Sequence, residues 1–240
     1  MKKLLLLFLL SAASLTTFAQ DIDGYTVNVD RLTFGIKEGL SLASMPRTVT
    51  GSSASITTSP VVTWNSGVYL NYKWKKSFSF EIGFDYAGTG GNEKDIVTSG
   101  SDITINSNTR TYLYYGEVPV NLVYSIPEGD KNSLRFALGP YLGYCFRGRT
   151  TGTLDITTTK KTTTTKLTET LNIGDGPDEI KPLDYGVDPS ISYQVETGFL
   201  VNLGYDYGFR NIYNKGTADN EGITSKAYNR ALTLSVGIFF

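Results

Sequence analysis

Twelve charged residues hold the chemistry open to this chain: Lys37, Lys73, Glu81, Asp85, Glu117, Arg135, Arg147, Asp184, Asp188, Glu196, Asp206 and Arg210. Paired carboxylates such as Glu81 and Asp85 are the usual equipment of general acid–base catalysis. Acids and bases gathered together also make a charged pore, a ligand site or a salt-bridged interior. The residues that would complete a catalytic centre are missing. The 240 residues contain no His, which removes Ser-His-Asp and Cys-His catalysis, His-ligated zinc and a histidine pH switch. No motif supports Ser/Lys nucleophile chemistry. The single cysteine, Cys145, rules out an intrachain disulfide. Gly174-Asp175-Gly176-Pro177-Asp178-Glu179 offers oxygen ligands, but their spacing is not that of an EF-hand, and turn chemistry accounts for them. A non-enzymatic protein without cofactor or bound metal is expected. The formal net charge of −1 gives no footprint for nucleic acid.

The elements that must position these charges are strands. Hydrophobic residues make up 40% and charged residues 19% of the chain, enough apolar content to bury a surface. Sixteen Tyr, 12 Phe and 25 Gly favour aromatic-rich β structure. Period-2 alternation recurs throughout, and it puts successive side chains on opposite faces. Phe78, Phe80, Ile82, Phe84 and Tyr86 oppose Ser79, Glu81, Gly83, Asp85 and Ala87. The same reading applies to Tyr112–Tyr124, Leu134–Phe146, Phe199–Phe209 and Leu232–Phe240. Leu32–Ala43, Val68–Trp74 and Tyr185–Val195 are less regular, and the total is eight strands.

The non-apolar face distinguishes a soluble barrel from a membrane one. It is rich in Gly, Ala and interleaved charges, which suits a narrow interior better than a solvated surface. On the apolar face, Tyr114 and Tyr124, Phe136 and Phe146, and Phe199 and Phe209 each stand ten residues apart. A tilted membrane strand crosses in about 9–11 residues, with aromatic rings at both interfaces. Short connections (Lys75-Lys76, Ile126–Ser133, the region of Glu196-Thr197) alternate with long ones (Met45–Thr63, Gly88–Thr109, Thr150–Pro182, Ile212–Lys226). The expected fold is an all-β, eight-stranded, antiparallel up-and-down transmembrane β-barrel with short periplasmic turns and long extracellular loops. Its lumen should be filled by the twelve charged residues as a paired network, because an unpaired buried charge costs several kcal/mol. Glu117 and Arg135, on strands joined by the turn at 126–133, are candidate partners.

The first residues read as an address. Met1-Lys2-Lys3 is a basic start, Leu4 to Leu10 an apolar run, and Thr17 and Ala19 suit cleavage after Ala19. The expected division is a signal peptide over 1–19 and a barrel domain over 20–240. The mature chain then carries 20 basic and 23 acidic residues. Thr150 to Thr170 holds twelve Thr in 21 residues and reads as a hairpin above the membrane or a contact surface. Thr48–Ser59 reads as a mobile external loop.

The chain resembles the PorT-like outer-membrane β-barrel family of Gram-negative bacteria over residues 31–240. The likeness rests on Phe34-Gly35-Ile36-Lys37-Glu38-Gly39-Leu40, Glu117-Val118-Pro119-Val120, Leu138-Gly139-Pro140-Tyr141-Leu142-Gly143, Gly204-Tyr205-Asp206-Tyr207-Gly208 and the final Asn229–Phe240 strand. The resemblance implies a barrel in the cell outer membrane. One member of that family takes part in a protein secretion system, so an accessory role in secretion is implied as one alternative. The residues themselves favour a structural or partner-binding barrel acting through its loops, with a narrow pore or small-solute transporter as the other alternative. Expected partners are outer-membrane lipid, the barrel assembly machinery that receives an aromatic final residue such as Phe240, and an envelope or extracellular protein.

Overall fold

The computed structural model describes residues 31–51, 55–99, 103–128, 132–158, 161–214 and 224–240. The expected signal peptide over 1–19 lies outside the described residues. The strands in chain order are β1 (Leu32–Ser44), β2 (Arg47–Thr50), β3 (Ser55–Ser59), β4 (Val61–Lys75), β5 (Phe78–Ser99), β6 (Ile103–Glu128) and β7 (Asn132–Leu138). There follow β8 (Pro140–Thr158), β9 (Lys161–Leu171), β10 (Leu183–Val187), β11 (Ser190–Gln194), β12 (Phe199–Gly208), β13 (Thr224–Ala227) and β14 (Arg230–Phe239).

Eight staves close a barrel: β1, β4, β5, β6, β7 continued by β8, β10 continued by β11, β12 and β14. Neighbouring staves pair antiparallel, and β14 returns to β1, with Ile36 opposite Ile238 and Leu42 opposite Leu232. Closure leaves no free edge among the eight staves, which is what hydrocarbon demands of a sheet. Two staves are interrupted where they face each other. β7 gives way to β8 at Gly139-Pro140, and β10 to β11 at Asp188-Pro189. Proline cannot donate to the ladder. The gap is bridged by the amide of Asp188, which donates to the Gly139 carbonyl at 2.9 Å. Gly139 itself lies so close to Val120 and Asn121 that a Cβ would collide with them.

The outer wall is apolar and exposed. Leu40, Phe84, Leu138 and Leu234 are each between 58% and 60% exposed, and Trp74, Phe146, Phe209 and Phe240 share their face. A soluble monomer does not expose a continuous apolar belt of this extent. Rings group at its two levels: Tyr86 meets Trp64, Tyr114 and Phe146 at one, and Phe78 meets Tyr124 at the other. No described helix is long and apolar enough to cross a membrane. The chain crosses with strands.

The two ends differ. One carries short turns, including that between β11 and β12, where Gly198 adopts φ 84. At the other end about half of β5 and of β6 continues past the membrane belt, joined by β3, β8 and β9 into one sheet. The stretch expected as the loop 88–109 is therefore largely strand, and Thr150–Thr170 is the β8–β9 hairpin. Within Thr48–Ser59, expected as a mobile loop, the chain forms parts of β2 and all of β3. β4 begins at Val61, not Val68, because the polar Asn65-Ser66-Gly67 hides the alternation without breaking the strand.

Candidate functional site

Strand geometry delivers nine of the twelve predicted residues to the lumen: Lys37, Lys73, Glu81, Asp85, Glu117, Arg135, Asp184, Asp188 and Asp206. Three expectations are corrected. A bulge shifts the β6–β8 register between Tyr114 and Tyr115, so Arg147 pairs with the outward Tyr114 and is exposed on the wall. Glu196 lies in the exposed turn between β11 and β12, where its amide donates to Asn132 Oδ1 at 3.2 Å. Arg210 lies past the end of β12, beside Lys181, whose ammonium is held below its ordinary pKa by burial and by that guanidinium.

The nine that remain are sorted by height. Nearest the periplasm, Glu81 (3% exposed) holds two cations: Lys37 Nζ at 2.6 Å from Oε1 and Arg135 Nη2 at 2.8 Å from Oε2. Arg135 also donates to Gln194 at 3.2 Å and covers the Phe239 ring at 4.9 Å. Lys37 lies 3.8 Å over the Tyr69 ring. Tyr69 fits because Gly83 faces it with no side chain; a Cβ at Gly83 would strike its ring.

Above this level the lumen is acidic. The Tyr69 hydroxyl donates to Asp85 at 2.6 Å, and Asn121 donates to Asp188 at 3.2 Å. Glu117 stands among Asp85, Asp184, Asp188 and Asp206. It does not meet Arg135, the partner expected for it, which Glu81 has taken. Higher still, Asp184 (1% exposed) accepts from Asn229 at 2.7 Å and from the Tyr141 hydroxyl at 3.4 Å. The spaces left between these side chains are cavities of about 50 and 20 Å3. The larger holds roughly three waters at the volume a water centre needs.

The outer mouth is shut by an apolar cluster. Met45, Leu113, Tyr115, Cys145, Ile180, Ile212 and Ala227 are buried together, packed by Leu171, Ile173 and Tyr213. They come from the loop after β1, from β6 and β8, and from the segments before β10 and around β13. The two-stranded β2–β13 sheet ties two of these segments across the opening. Beside it, Arg47 Nη1 pairs with Glu93 at 2.9 Å. Burial raises the Glu93 pKa, with Arg47 and a hydrogen bond from Tyr213 opposing. Burial and Glu93 likewise raise Tyr213. The inner mouth, by contrast, opens into a cavity of about 640 Å3.

Sequence reasoning missed Tyr69, Tyr141, Asn229 and the cap. Tyr69 shares parity with Lys73, so the alternation of β4 carried a signal for it. In the cap, Leu113, Tyr115 and Cys145 follow the inward parity of β6 and β8, whereas Met45, Ile180 and Ile212 lie in irregular segments and carried none. Besides Arg147, the structure places a carboxylate on the lipid side. Glu38 stands between Ile36 and Leu40 on the outer wall and accepts from the Trp64 indole at 3.2 Å. The segment at Gly174–Glu179 is a turn in which the Gly176 amide donates to Glu179 at 2.8 Å. Among the described residues no group of three or more acidic or Cys side chains is arranged to hold a metal.

With this geometry in view, the sequence matches the family described as "outer membrane protein beta-barrel domain" over residues 18–214. No curated protein matches it. Among solved structures the chain is similar to the outer membrane protein OprG from Pseudomonas aeruginosa, at 13% identity over 87% of this chain and 95% of that one, with a TM-score of 0.48. It is similar to Ail, the attachment invasion locus protein of Yersinia pestis, at 12% identity over 87% and 98%, with a TM-score of 0.36. It is also similar to the outer membrane protease OmpT from Escherichia coli, at 12% identity over 91% and 99%, with a TM-score of 0.33.

Proposed function

The chain belongs to the outer membrane protein beta-barrel family, and from that premise we propose that it is a non-conducting, non-enzymatic barrel that displays its extracellular β structure to an envelope or extracellular protein. It is an integral protein of the cell outer membrane. Within the family we place it nearest the PorT-like proteins, on the strand motifs quoted above. We read residues 1–19 as the signal peptide removed on export and 20–240 as the barrel domain, inserted by the barrel assembly machinery.

The observation that carries this reading is the closed lumen. An apolar cluster seals the outer mouth. Below it Tyr69, Tyr141 and the charged side chains leave two small adjoining cavities of about 50 and 20 Å3. A solute has no continuous path, so the barrel serves as a rigid base for what stands above it. The carboxylate pair Glu81 and Asp85 is engaged by Lys37, Arg135 and Tyr69, which supports an interior held for stability over one used for acid–base chemistry. Above the membrane, β9 is exposed along nearly its whole length and offers Thr hydroxyls to a partner.

Single-channel recording in planar bilayers tests the reading. The full-length protein should give no stepwise conductance, and regular openings would overturn it in favour of a pore. Photo-crosslinking from Thr163 in intact cells should then yield a defined partner. A secretion-system component caught there would assign the accessory role.

A further inference from the structure

We infer that the outward face of the extracellular sheet, where it leaves the membrane, is a binding site for the phosphate groups of outer-leaflet lipid. Five exposed cations make the site: Lys94 on β5, Arg110 on β6, Arg147 and Arg149 on β8, and Lys166 on β9. Strand register brings them together. Arg147 stands opposite Tyr114 and Arg149 opposite Tyr112, while Arg110 stands opposite Thr151, the next outward position above Arg149. One step higher, Asn108 lies between Lys94 and Thr153, and Thr153 faces Lys166. Two residues along a strand span about 7 Å and adjacent strands lie about 5 Å apart, so the three guanidinium groups are within side-chain reach of one another.

Nothing on the protein neutralises this patch. Among the described residues none of the five cations forms an ion pair. Asn92, Thr151, Thr168 and Thr170, between them on the same face, are neutral. The first acid of outward parity on these strands is Asp155, beyond Thr153 and farther from the membrane. Glu38, the carboxylate on the lipid-facing wall, lies on β1 and is bonded to Trp64. The remaining acids near the patch take the other face of the sheet, where Glu93 and Asp95 meet Arg47 and Glu169 stands opposite Thr150. Like charges this close repel, and an anion supplied from outside removes that cost.

Height commits the patch to lipid. Tyr114, opposite Arg147, and Phe146, next to it in the chain, both meet the Tyr86 ring in the outer aromatic level. Such rings mark the boundary between hydrocarbon and headgroups. Arg147 and Arg149 therefore stand where the wall enters the headgroup layer, with Lys94 and Lys166 above them. A soluble polyanion would have to displace lipid to reach Arg147, whereas lipid already carries its phosphate to this depth. The paired donors of a guanidinium match two oxygens of one phosphate. The inference rests on the barrel standing with its long strands outside the cell, and not on what those strands display to a protein.

The test places the full-length barrel in phosphatidylcholine nanodiscs doped with diphosphoryl lipid A, or with the same glycolipid stripped of both phosphates. Native mass spectrometry counts the glycolipid that stays on the protein. The wild type should retain the phosphorylated form about tenfold or more over the stripped form. R110Q/R147Q/R149Q should lose that preference and keep the heat-modifiable gel mobility of a closed barrel; R149Q alone carries the comparison if the triple variant does not close. K75Q/K76Q, which removes exposed cations from the short-turn rim, should behave as wild type. Equal preference in wild type and the arginine variant, or no preference in the wild type, overturns the inference. Loss of the preference in K75Q/K76Q alone places the lipid at the other rim and also overturns it. Pyrophosphate should not displace the retained lipid A, and displacement would assign the arginines to a free anion in place of lipid.

Discussion

The two halves of one lumen solve the problem of buried charge differently. On the periplasmic side, cations outnumber acids, and the single buried carboxylate Glu81 is bonded to both Lys37 and Arg135. On the outer side, Asp85, Glu117, Asp184, Asp188 and Asp206 collect beneath an apolar cap and are served chiefly by neutral donors: Tyr69, Asn121, Tyr141 and Asn229. The first half opens at its base; the second is packed and closed. An eight-stranded barrel is just narrow enough for side chains to fill it. The contrast shows that filling and charge pairing are separate requirements. The acidic half is filled without being paired, and the basic half is paired at its floor without being filled.

Breaking Glu81 should have the largest effect. Glu81→Ala leaves two cations facing a dry wall and should cost about 3–5 kcal/mol, the usual penalty for orphaning a buried partner. Urea unfolding in lipid vesicles measures it, and a loss below about 1 kcal/mol would mean that water reaches this level of the lumen. Next comes the cap. Leu113→Ala removes a fully buried side chain and should cost about 2–4 kcal/mol. Cys145 is also fully buried, so a maleimide should not label it in the wild type and should label it in Leu113→Ala. Labelling of the wild type would show that the cap does not seal.

The acidic half should respond in the opposite sense to the basic one. Glu117→Gln keeps the volume of a side chain that stands among carboxylates with no cation against it, and should leave stability unchanged or raise it by about 1 kcal/mol. A loss of the size seen for Glu81→Ala would show a cation beside Glu117. The smallest effect concerns pH at the outer rim. Because burial raises the pKa of Glu93, the folded state takes up this proton more readily than the unfolded chain. That contribution favours the fold at low pH and weakens as pH rises through the raised pKa. Amide exchange in β2 and β13 should therefore slow as pH is lowered from neutral towards the ordinary carboxylate range, after correction for the intrinsic rate. Glu93→Gln should flatten the trend.

Much of the wall was legible beforehand. In β5, β12 and β14 the expected alternation corresponds to the observed faces residue by residue, because a strand has only two sides and lipid tolerates only one kind of residue on its own. Where the reading failed, one extra residue or one irregular stretch was enough. The bulge beside Tyr115 sends Arg147 to the outside, and a bulge leaves no mark in a period-2 pattern. Glu196 and Arg210 kept the right parity but lay beyond the ends of their strands. Glu38 belongs to the lipid-facing set of β1 by parity, yet a carboxylate there is an exception that alternation does not anticipate.

The sequence by itself determined which side of each strand meets lipid, where the strands cross and which way the barrel stands, since these follow from local periodicity, ring spacing and connection length. Only the tertiary structure decided the heights at which charges meet, and hence that Arg135 takes Glu81 in place of Glu117. It also decided that distant segments around Met45, Ile180, Ile212 and Ala227 converge to close one end. Height depends on the register between staves and on the tilt of the whole barrel, and convergence depends on loops folding over a mouth. Both are properties of closure, which no single strand encodes.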